Sequence, residues 1–220
     1  MLSKVNLLKV LKIIDEMYPN AKGELNAKTP FQLLIAVILS AQTTDKAVNQ
    51  VTPALFRDYS TPEALANADV EDVMGKIARI GLYKNKSRNI IQTARMIHQD
   101  FNDDIPQTHE ALESLPGVGR KTANVVLGDA FGIPGIAVDT HVERVSKRLR
   151  VVKQSATVKE VEAALMQKIP KSRWVLTHHQ LILFGRYHCT AKRPKCDICP
   201  VFSFCGEGKK IMLAYHDRSK

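Results

Sequence analysis

The stretch LPGVGRKTA, residues 115–123, decides how the surrounding chain folds. Pro116 ends the short helical segment Glu110–Ser114 in front of it, because proline cannot continue a helix. The apolar segment Ala123–Leu127 behind the stretch is predicted to form a second helix. The sequence therefore predicts two helices joined by a glycine-containing hairpin.

The two glycines of this hairpin, Gly117 and Gly119, permit a tight turn and leave backbone amides uncovered. These amides lie at the N-terminus of the second helix, where the macrodipole favours an anion such as a DNA phosphate. A lone Gly-x-Gly would equally suit a turn between two core helices. The whole string, with Val118 and Arg120, is the more specific helix-hairpin-helix pattern of proteins that bind DNA regardless of sequence. We therefore predict DNA binding here.

Hydrophobic periodicity is helical nearly throughout the chain. Leu7, Val10, Leu11 and Ile14 recur at three- and four-residue steps, and strand and hairpin signals are scarce. The apolar run Leu33–Leu39 predicts a buried central helix. The fold class is therefore all-α, with about ten short helices. Predicted helix N-caps are Thr29, Thr61, Asp69, Thr108 and Thr157.

The positive charge is confined to one part of the chain. The formal net charge is +10. Residues 1–139 contain 15 Lys and Arg against 16 Asp and Glu, whereas residues 140–220 contain 17 against 6. Such asymmetry indicates a polyanionic partner. Nucleic acid is favoured, although basic proteins also bind membranes or acidic proteins. No membrane-length apolar run and no signal-peptide pattern are found, which predicts a cytoplasmic protein with no membrane partner.

All four cysteines, Cys189, Cys196, Cys199 and Cys205, fall in one short window. A cytoplasmic protein keeps its thiols reduced, so the cluster is interpreted as a set of metal ligands rather than disulfides. Zinc sites usually pair two Cys-x2-Cys knuckles, and only one such pair is present. The spacing Cys-x6-Cys-x2-Cys-x5-Cys therefore favours an iron–sulfur cluster, with zinc left open as the alternative.

Lys121 and Asp139 are the candidates for chemistry. Lys121 is predicted in the first turn of the second hairpin helix, where the dipole and Arg120 disfavour an ammonium and favour a free, nucleophilic amine. A phosphate contact is an equally good interpretation from position alone. Asp139 precedes another amphipathic helix, and helix capping is its simplest role. Near Lys121, its carboxylate could also accept a proton or stabilise developing positive charge.

Taken together, these motifs resemble the endonuclease III family. The resemblance is carried by the hairpin with Lys121, the segment Val138–His141 and the cysteine spacing. The segments LSAQTTD (39–45) and IGLY (80–83) match as well, and the similarity runs from about residue 3 to residue 206.

The resemblance implies two all-α lobes flanking a DNA-binding cleft. Residues 23–133 would form a six-helix barrel domain that contains the helix-hairpin-helix. Residues 1–22 and 134–206 would form the domain that carries a 4Fe-4S cluster on the four cysteines. Residues 207–220 would be a C-terminal tail, which we expect to be poorly ordered because it is short and polar.

The resemblance also assigns DNA contacts. Gln42 and Leu82 would enter the gap left by a flipped nucleotide, two roles that the residues alone do not suggest. The hairpin and the cluster loop would hold phosphates, and His141 would contact DNA as well. The expected DNA-binding residues are Gln42, Leu82, Gly117, Val118, Gly119, Arg120, His141, Lys192, Arg193 and Lys195.

The implied activity is base-excision DNA repair by a bifunctional DNA glycosylase. Lys121 would release an oxidised pyrimidine from an extruded nucleotide, and the resulting Schiff base would cleave the strand 3′ of the abasic site by β-elimination, with assistance from Asp139. The expected partner is double-stranded DNA with damaged bases or abasic sites, bound by a monomer associated with the nucleoid. A helix-hairpin-helix binding module stapled by zinc is the non-enzymatic alternative.

Overall fold

A computed structural model describes the backbone of residues 1–216 and the side chains up to residue 213. Over this range the chain forms α-helices and no strand, so the predicted all-α class is confirmed. The helices are α1 (Lys4–Met17), α2 (Pro30–Leu39), α3 (Asp45–Asp58), α4 (Pro62–Ala66), α5 (Val70–Ile77), α6 (Tyr83–Asp100), α7 (His109–Glu113), α8 (Arg120–Phe131), α9 (Thr140–Arg148), α10 (Val158–Lys168), α11 (Trp174–Leu183) and α12 (Gly208–His216).

Short polar side chains start most of these helices, as the sequence predicts. The Thr29 hydroxyl accepts a hydrogen bond from the Gln32 amide at 3.2 Å at the start of α2. Thr157 and Glu160 form a reciprocal capping box at the start of α10. Each of these caps satisfies amides that have no partner inside the helix. The other predicted caps are also confirmed: Thr61, Asp69 and Thr108.

The chain divides into two compact units, of which one is the continuous segment Gly23–Ile133. This unit contains α2 to α8, and α2 is its central helix, buried along almost its whole length. Leu34, Ile35 and Leu39 are completely inaccessible to solvent. Burial of such large aliphatic side chains is the main favourable term in the stability of the unit.

The second unit joins Met1–Lys22 to Pro134–Lys220. Its core brings together side chains from α1, α9, α10 and α11, including Leu11, Val142 and Leu181. Helix α11 continues directly into a π-helical turn over Phe184–His188. The first cysteine, Cys189, follows this turn at once.

The expectation of a poorly ordered tail is wrong for most of its length. Helix α12 covers Gly208–His216. Arg150 forms an ion pair with Glu207 at 2.8 Å just before the helix, and Gly208 itself is buried. Ile211 lines the same pocket as the four cysteines, so α12 gains tertiary contacts that composition alone did not suggest. Residues 217–220 lie outside the described residues.

No helix in the described part of the chain combines the length and the apolar character needed to span a membrane.

Candidate DNA-repair site

The predicted hairpin is formed by α7, α8 and the turn between them. Gly117 has φ +80°, a backbone conformation that residues with a side chain rarely adopt. A Cβ atom there would also lie 3.1 Å from both the Asn89 amide nitrogen and the Ile38 Cγ2 atom. The buried side chain of Val118 anchors the turn in the core. Gly117 is therefore needed both for its conformation and for its lack of a side chain.

The N-terminus of α8 is open. Gly119 is its N-cap and offers no capping side chain, and a Cβ atom on Gly119 would have nothing within 4 Å. The first amides of an α-helix have no partner within the helix, so this end can accept a phosphate oxygen. Arg120 and Lys121 are exposed in the first turn. The structure therefore places Lys121 in the first turn of α8, as predicted.

Gln42 and Leu82 lie in two turns of the same unit as the hairpin. Gln42 has φ 55° and Leu82 has φ 60°, so both have a left-handed backbone. Both side chains are exposed, and Leu82 retains 58% of its accessible surface. A large exposed leucine held in an unfavourable conformation is uncommon in a structural turn and suits a residue that contacts a partner.

Asp139 caps α9. One oxygen of its carboxylate accepts hydrogen bonds from the amides of His141 and Val142, both at 2.9 Å. The capping role expected from the sequence is therefore confirmed, and it fixes the carboxylate rigidly at the helix N-terminus. Asp139 and His141 are half-buried in the unit formed by Met1–Lys22 and Pro134–Lys220, whereas Lys121 belongs to the other unit.

Arg144 ties α9 to the π-helical turn. Its guanidinium donates to the Gly185 carbonyl at 2.6 Å and to the Cys189 carbonyl at 3.1 Å, and it lies 3.1 Å from the His141 Nδ1 atom. Burial, with the adjacent charge of Arg148, lowers the pKa of Arg144. Gly185 makes this approach possible, because a Cβ atom there would lie 2.8 Å from the His141 Cβ atom.

Arg148, one turn further along α9, holds the start of the cluster loop. It donates to the carbonyls of Thr190 at 2.7 Å and Ala191 at 3.1 Å, and it lies 3.4 Å from the Cys189 Sγ atom. The sequence interpretation missed Arg144 and Arg148. Their spacing of four residues on one face of α9 was the available signal, but it is also typical of a solvated helix face.

The four cysteines line one pocket together with apolar side chains, including Phe184 and Val201. Burial raises the pKa of Cys196 and Cys205 and raises the pKa of Cys199 to about 11. The thiols are free rather than paired as disulfides. Thiolates in this apolar pocket require a positively charged group to compensate them, which an iron–sulfur cluster supplies.

A single zinc ion fits this arrangement poorly. Four zinc-bound sulfurs would lie within about 4 Å of one another, because each Zn–S bond is about 2.3 Å long. Within the part of the chain that the structure describes, no three His, Cys, Asp or Glu side chains could hold one metal ion. The four thiols thus share one pocket without forming, among the described residues, a compact site for one ion, which disfavours the zinc alternative left open by the spacing.

The loop between the first two cysteines presents its basic side chains to solvent. Lys192, Arg193 and Lys195 are all exposed, and Arg193 has a left-handed backbone with φ 53°. The Lys195 amide donates to the His188 carbonyl at 3.2 Å, which fastens the loop to the π-helical turn. We refer to residues 190–195 as the basic loop. Its exposed charges are suited to a phosphate backbone.

Comparison with known proteins places these features in one family. The sequence model of a protein family, the HhH-GPD superfamily base excision DNA repair protein, matches residues 35–171. Endonuclease III of Bacillus subtilis (strain 168) is 52% identical over 197 residues, which is 90% of each chain. The chain belongs to the endonuclease III family. Its members include the Escherichia coli (strain K12) enzyme, which is 45% identical over 96% of this chain and 99% of its own.

The model of the iron–sulfur binding domain of endonuclease III matches residues 189–205, which contain all four cysteines. The cofactor is therefore a 4Fe-4S cluster. A solved structure, a trapped endonuclease III–DNA covalent intermediate in an estranged-adenine complex, is 50% identical, with a TM-score of 0.93 over 96% of this chain and all of its own. Membership of the endonuclease III family makes this protein a DNA-binding base-excision repair enzyme, a DNA glycosylase with AP lyase activity. The non-enzymatic binding module is therefore excluded.

Proposed function

We propose that this enzyme removes oxidised pyrimidines and that Lys121 is its nucleophile. The observation that carries the proposal is the exposed amine of Lys121 in the first turn of α8, beside an open helix end that can hold a phosphate. An amine at that position would be held close to the sugar of the bound nucleotide. The trapped covalent intermediate of the related endonuclease III supports a covalent mechanism.

The chemistry proceeds in two steps. The Lys121 nitrogen attacks C1′ of the extruded nucleotide, the N-glycosidic bond breaks, and the base leaves with the electron pair of that bond. The lysine nitrogen loses a proton, the C1′–O4′ bond of the sugar ring opens with protonation of O4′, and a C1′=N Schiff base forms. This Schiff base acidifies the C2′–H bond. Loss of this proton expels the 3′ phosphate by β-elimination, which breaks the C3′–O bond, and water then releases the lysine.

Asp139 would assist the first step. Its carboxylate is already fixed by two amide hydrogen bonds, so little reorganisation is needed as positive charge develops on the sugar. The carboxylate could also take the proton that Lys121 loses as it attacks. We infer the remaining DNA contacts as follows. The basic loop and the hairpin bind phosphates, and His141 contacts the DNA near Asp139.

Cys189, Cys196, Cys199 and Cys205 would each ligate one iron of the cluster. When bound, the cluster would compensate four half-buried thiolates and fix the basic loop, which has little apolar core of its own. The two units would act as a helix-hairpin-helix barrel domain and a cluster domain. We further propose that the enzyme acts as a monomer, since the hairpin and the basic loop are both present in one chain. Its proposed substrate is double-stranded DNA with damaged bases or abasic sites, with which it would associate in the nucleoid.

The test is to follow base release and strand cleavage separately on duplexes with one oxidised thymine, one oxidised guanine or no lesion. We expect both products from the oxidised thymine, at a rate at least about a hundredfold above the other two, because weakly stacked pyrimidines are cheaper to extrude. Equal rates on the oxidised guanine would refute the proposed lesion class. Base release without cleavage would refute the Schiff base and leave a monofunctional glycosylase.

A further inference from the structure

The structure contains a buried lysine that the mechanism above does not use. Lys86 lies in the first turn of α6 and is only 5% exposed. Burial lowers its pKa. Lysine is almost never this buried without a partner, because removing an ammonium group from water is costly. A specific interaction must therefore offset the cost of burying this side chain.

The partner of the ammonium group is a hydroxyl on another segment. The Lys86 Nζ atom donates to the Thr43 Oγ1 atom at 2.6 Å. Thr43 directly follows Gln42, and the Thr43 amide donates to the Ser40 carbonyl at 3.0 Å, which closes the turn that contains Gln42. The lysine thus fixes the turn that presents Gln42.

The backbone of the same residue fixes Leu82. The Lys86 amide donates to the Leu82 carbonyl at 3.0 Å, the first hydrogen bond of α6. Leu82 is the N-cap residue and makes no capping hydrogen bond through its side chain. One residue therefore holds both segments, Leu82 through its amide and the Gln42 turn through its ammonium group.

Both held residues have a conformation that needs support. Gln42 and Leu82 have left-handed backbones, which residues with a Cβ atom adopt only when the surrounding structure imposes it. Both side chains nevertheless remain exposed. The molecule thus maintains two unfavourable conformations at its surface and connects them through a buried charge, an arrangement that hydrophobic packing alone does not explain.

We propose that Lys86 is a positioning residue that holds the Gln42 and Leu82 segments in one arrangement, so that both side chains enter the DNA together as the damaged nucleotide is extruded. This inference rests on the DNA-binding roles that the family resemblance implies for Gln42 and Leu82, which we propose for this enzyme as well. Fixing the two segments before binding removes the cost of ordering them in the complex. The rate of extrusion should therefore depend on the Lys86–Thr43 hydrogen bond. Phosphate binding by the hairpin should be independent of that hydrogen bond.

The substitutions separate this hydrogen bond from packing. Lys86→Met keeps the apolar stem and removes the ammonium group. Thr43→Val keeps the shape of the side chain and removes the acceptor, whereas Thr43→Ser keeps the acceptor. Lys28→Met serves as the control for loss of one positive charge, because Lys28 is exposed in the same unit. Each variant is compared by thermal unfolding so that all assays are run well below every midpoint.

Two readouts are measured on the full-length enzyme. The first is the single-turnover rate of base release from a duplex with one oxidised thymine, together with the Kd for that duplex. The second is the fluorescence of 2-aminopurine opposite an uncleavable tetrahydrofuran site, which rises when insertion of the side chains unstacks it. The second readout requires no catalysis and therefore remains valid if the proposed lesion class is wrong.

We expect Lys86→Met and Thr43→Val each to slow base release about tenfold and to lose most of the fluorescence rise, with Kd changed less than about threefold. The double variant should be no slower than either single variant, because both remove the same hydrogen bond. Thr43→Ser and Lys28→Met should behave as wild type. That pattern would support the inference, since a purely structural effect would not spare Kd.

The inference is overturned if Lys86→Met and Thr43→Val keep the wild-type rate and fluorescence while Gln42→Ala loses them. Multiplicative effects in the double variant would overturn it too, because the two residues would then act independently. A wild-type enzyme that gives the fluorescence rise but releases no oxidised thymine would refute the proposed lesion class alone, and the fluorescence of the variants would still decide the role of Lys86.

Discussion

Gly117 and Gly119 stand two residues apart in the hairpin, yet a methyl group would meet different surroundings at each. At Gly117 it would force a left-handed alanine against Asn89 and Ile38. We therefore expect Gly117→Ala to lower the free energy of unfolding by about 1–3 kcal/mol, which urea denaturation would measure. A stability equal to wild type would show that the turn can relax.

Gly119→Ala is the matched variant. Its Cβ atom would lie in open space, and the backbone of Gly119 is extended with φ −106°. Alanine fits that conformation, so the fold should be unaffected. The methyl group would instead stand where we expect a phosphate, and the Kd for abasic duplex should rise about tenfold, as a gel-shift titration would show. Unchanged affinity would argue against phosphate binding at this helix end.

Individual residues also show how far the sequence is informative. Asp139 was predicted as an N-cap from its position before an amphipathic helix, and the structure confirms it because capping depends only on local chain geometry. Lys86 was missed. It lies four residues before Ile90 on the buried face of α6, but its partner, Thr43, is 43 residues away in the sequence. A contact that the fold creates leaves no local pattern.

Among the elements, the approach of α9 to the π-helical turn depends on Gly185. A methyl group there would lie 2.8 Å from the His141 Cβ atom and 3.2 Å from the His141 backbone. We expect Gly185→Ala to destabilise the protein by about 1–3 kcal/mol, because the packed backbones cannot separate without disturbing the hydrogen bonds of Arg144. Thermal unfolding would measure the effect.

Gly75→Ala is the control for that substitution. Gly75 lies inside α5, and a Cβ atom there would have nothing within 4 Å. Alanine is favoured over glycine in a helix interior, so this variant should gain about 0.5–1 kcal/mol. If both variants were equally stable, the close approach of His141 to Gly185 would not contribute to the stability of the protein.

The helices themselves were largely predictable, and the cluster region was not. Local caps such as Thr108 and Thr157 mark helix starts whatever the tertiary fold. The sequence predicts a poorly ordered tail where helix α12 forms, because the segment is short and polar, and the contact of Ile211 with the cysteine pocket leaves no local sequence pattern. The π-helical turn has no sequence signature of its own and arises where α11 packs against α9.

At the scale of the whole molecule, the concentration of positive charge in residues 140–220 predicts the ionic behaviour of DNA binding. The logarithm of affinity should fall linearly with the logarithm of salt concentration, by about 0.9 for each phosphate neutralised. Lys192→Ala in the basic loop should reduce this slope by about 1 and weaken binding equally on all sequences. Fluorescence anisotropy over a range of salt concentrations would measure both.

Lys76→Ala supplies the control, since Lys76 is already paired with Asp58 and Asp72 and should not contribute to binding. Its slope should equal that of wild type. A slope for Lys192→Ala that also matched wild type would show that the basic loop does not contact phosphates.

The 4Fe-4S cluster should be required for the integrity of its unit. Cys196→Ser removes one thiolate, and we expect the protein to lose the brown colour of an iron–sulfur cluster and to become poorly soluble. The reason is that ligation contributes folding free energy to a loop that has little apolar core. Ile198→Ser is the control in the same loop, since Ile198 is 69% exposed. It should retain the cluster absorbance. A Cys196→Ser protein that is colourless, well folded and active would contradict a structural role.

The identity of the nucleophile is tested most directly by borohydride trapping on a duplex with one oxidised thymine, comparing wild type with Lys121→Ala. Borohydride reduces a Schiff base to a stable bond, so the wild type should give a covalent protein–DNA adduct. Lys121→Ala should give neither adduct nor strand cleavage while still binding the duplex. An adduct of equal yield from Lys121→Ala would show that another amine attacks the sugar and would contradict the mechanism proposed here.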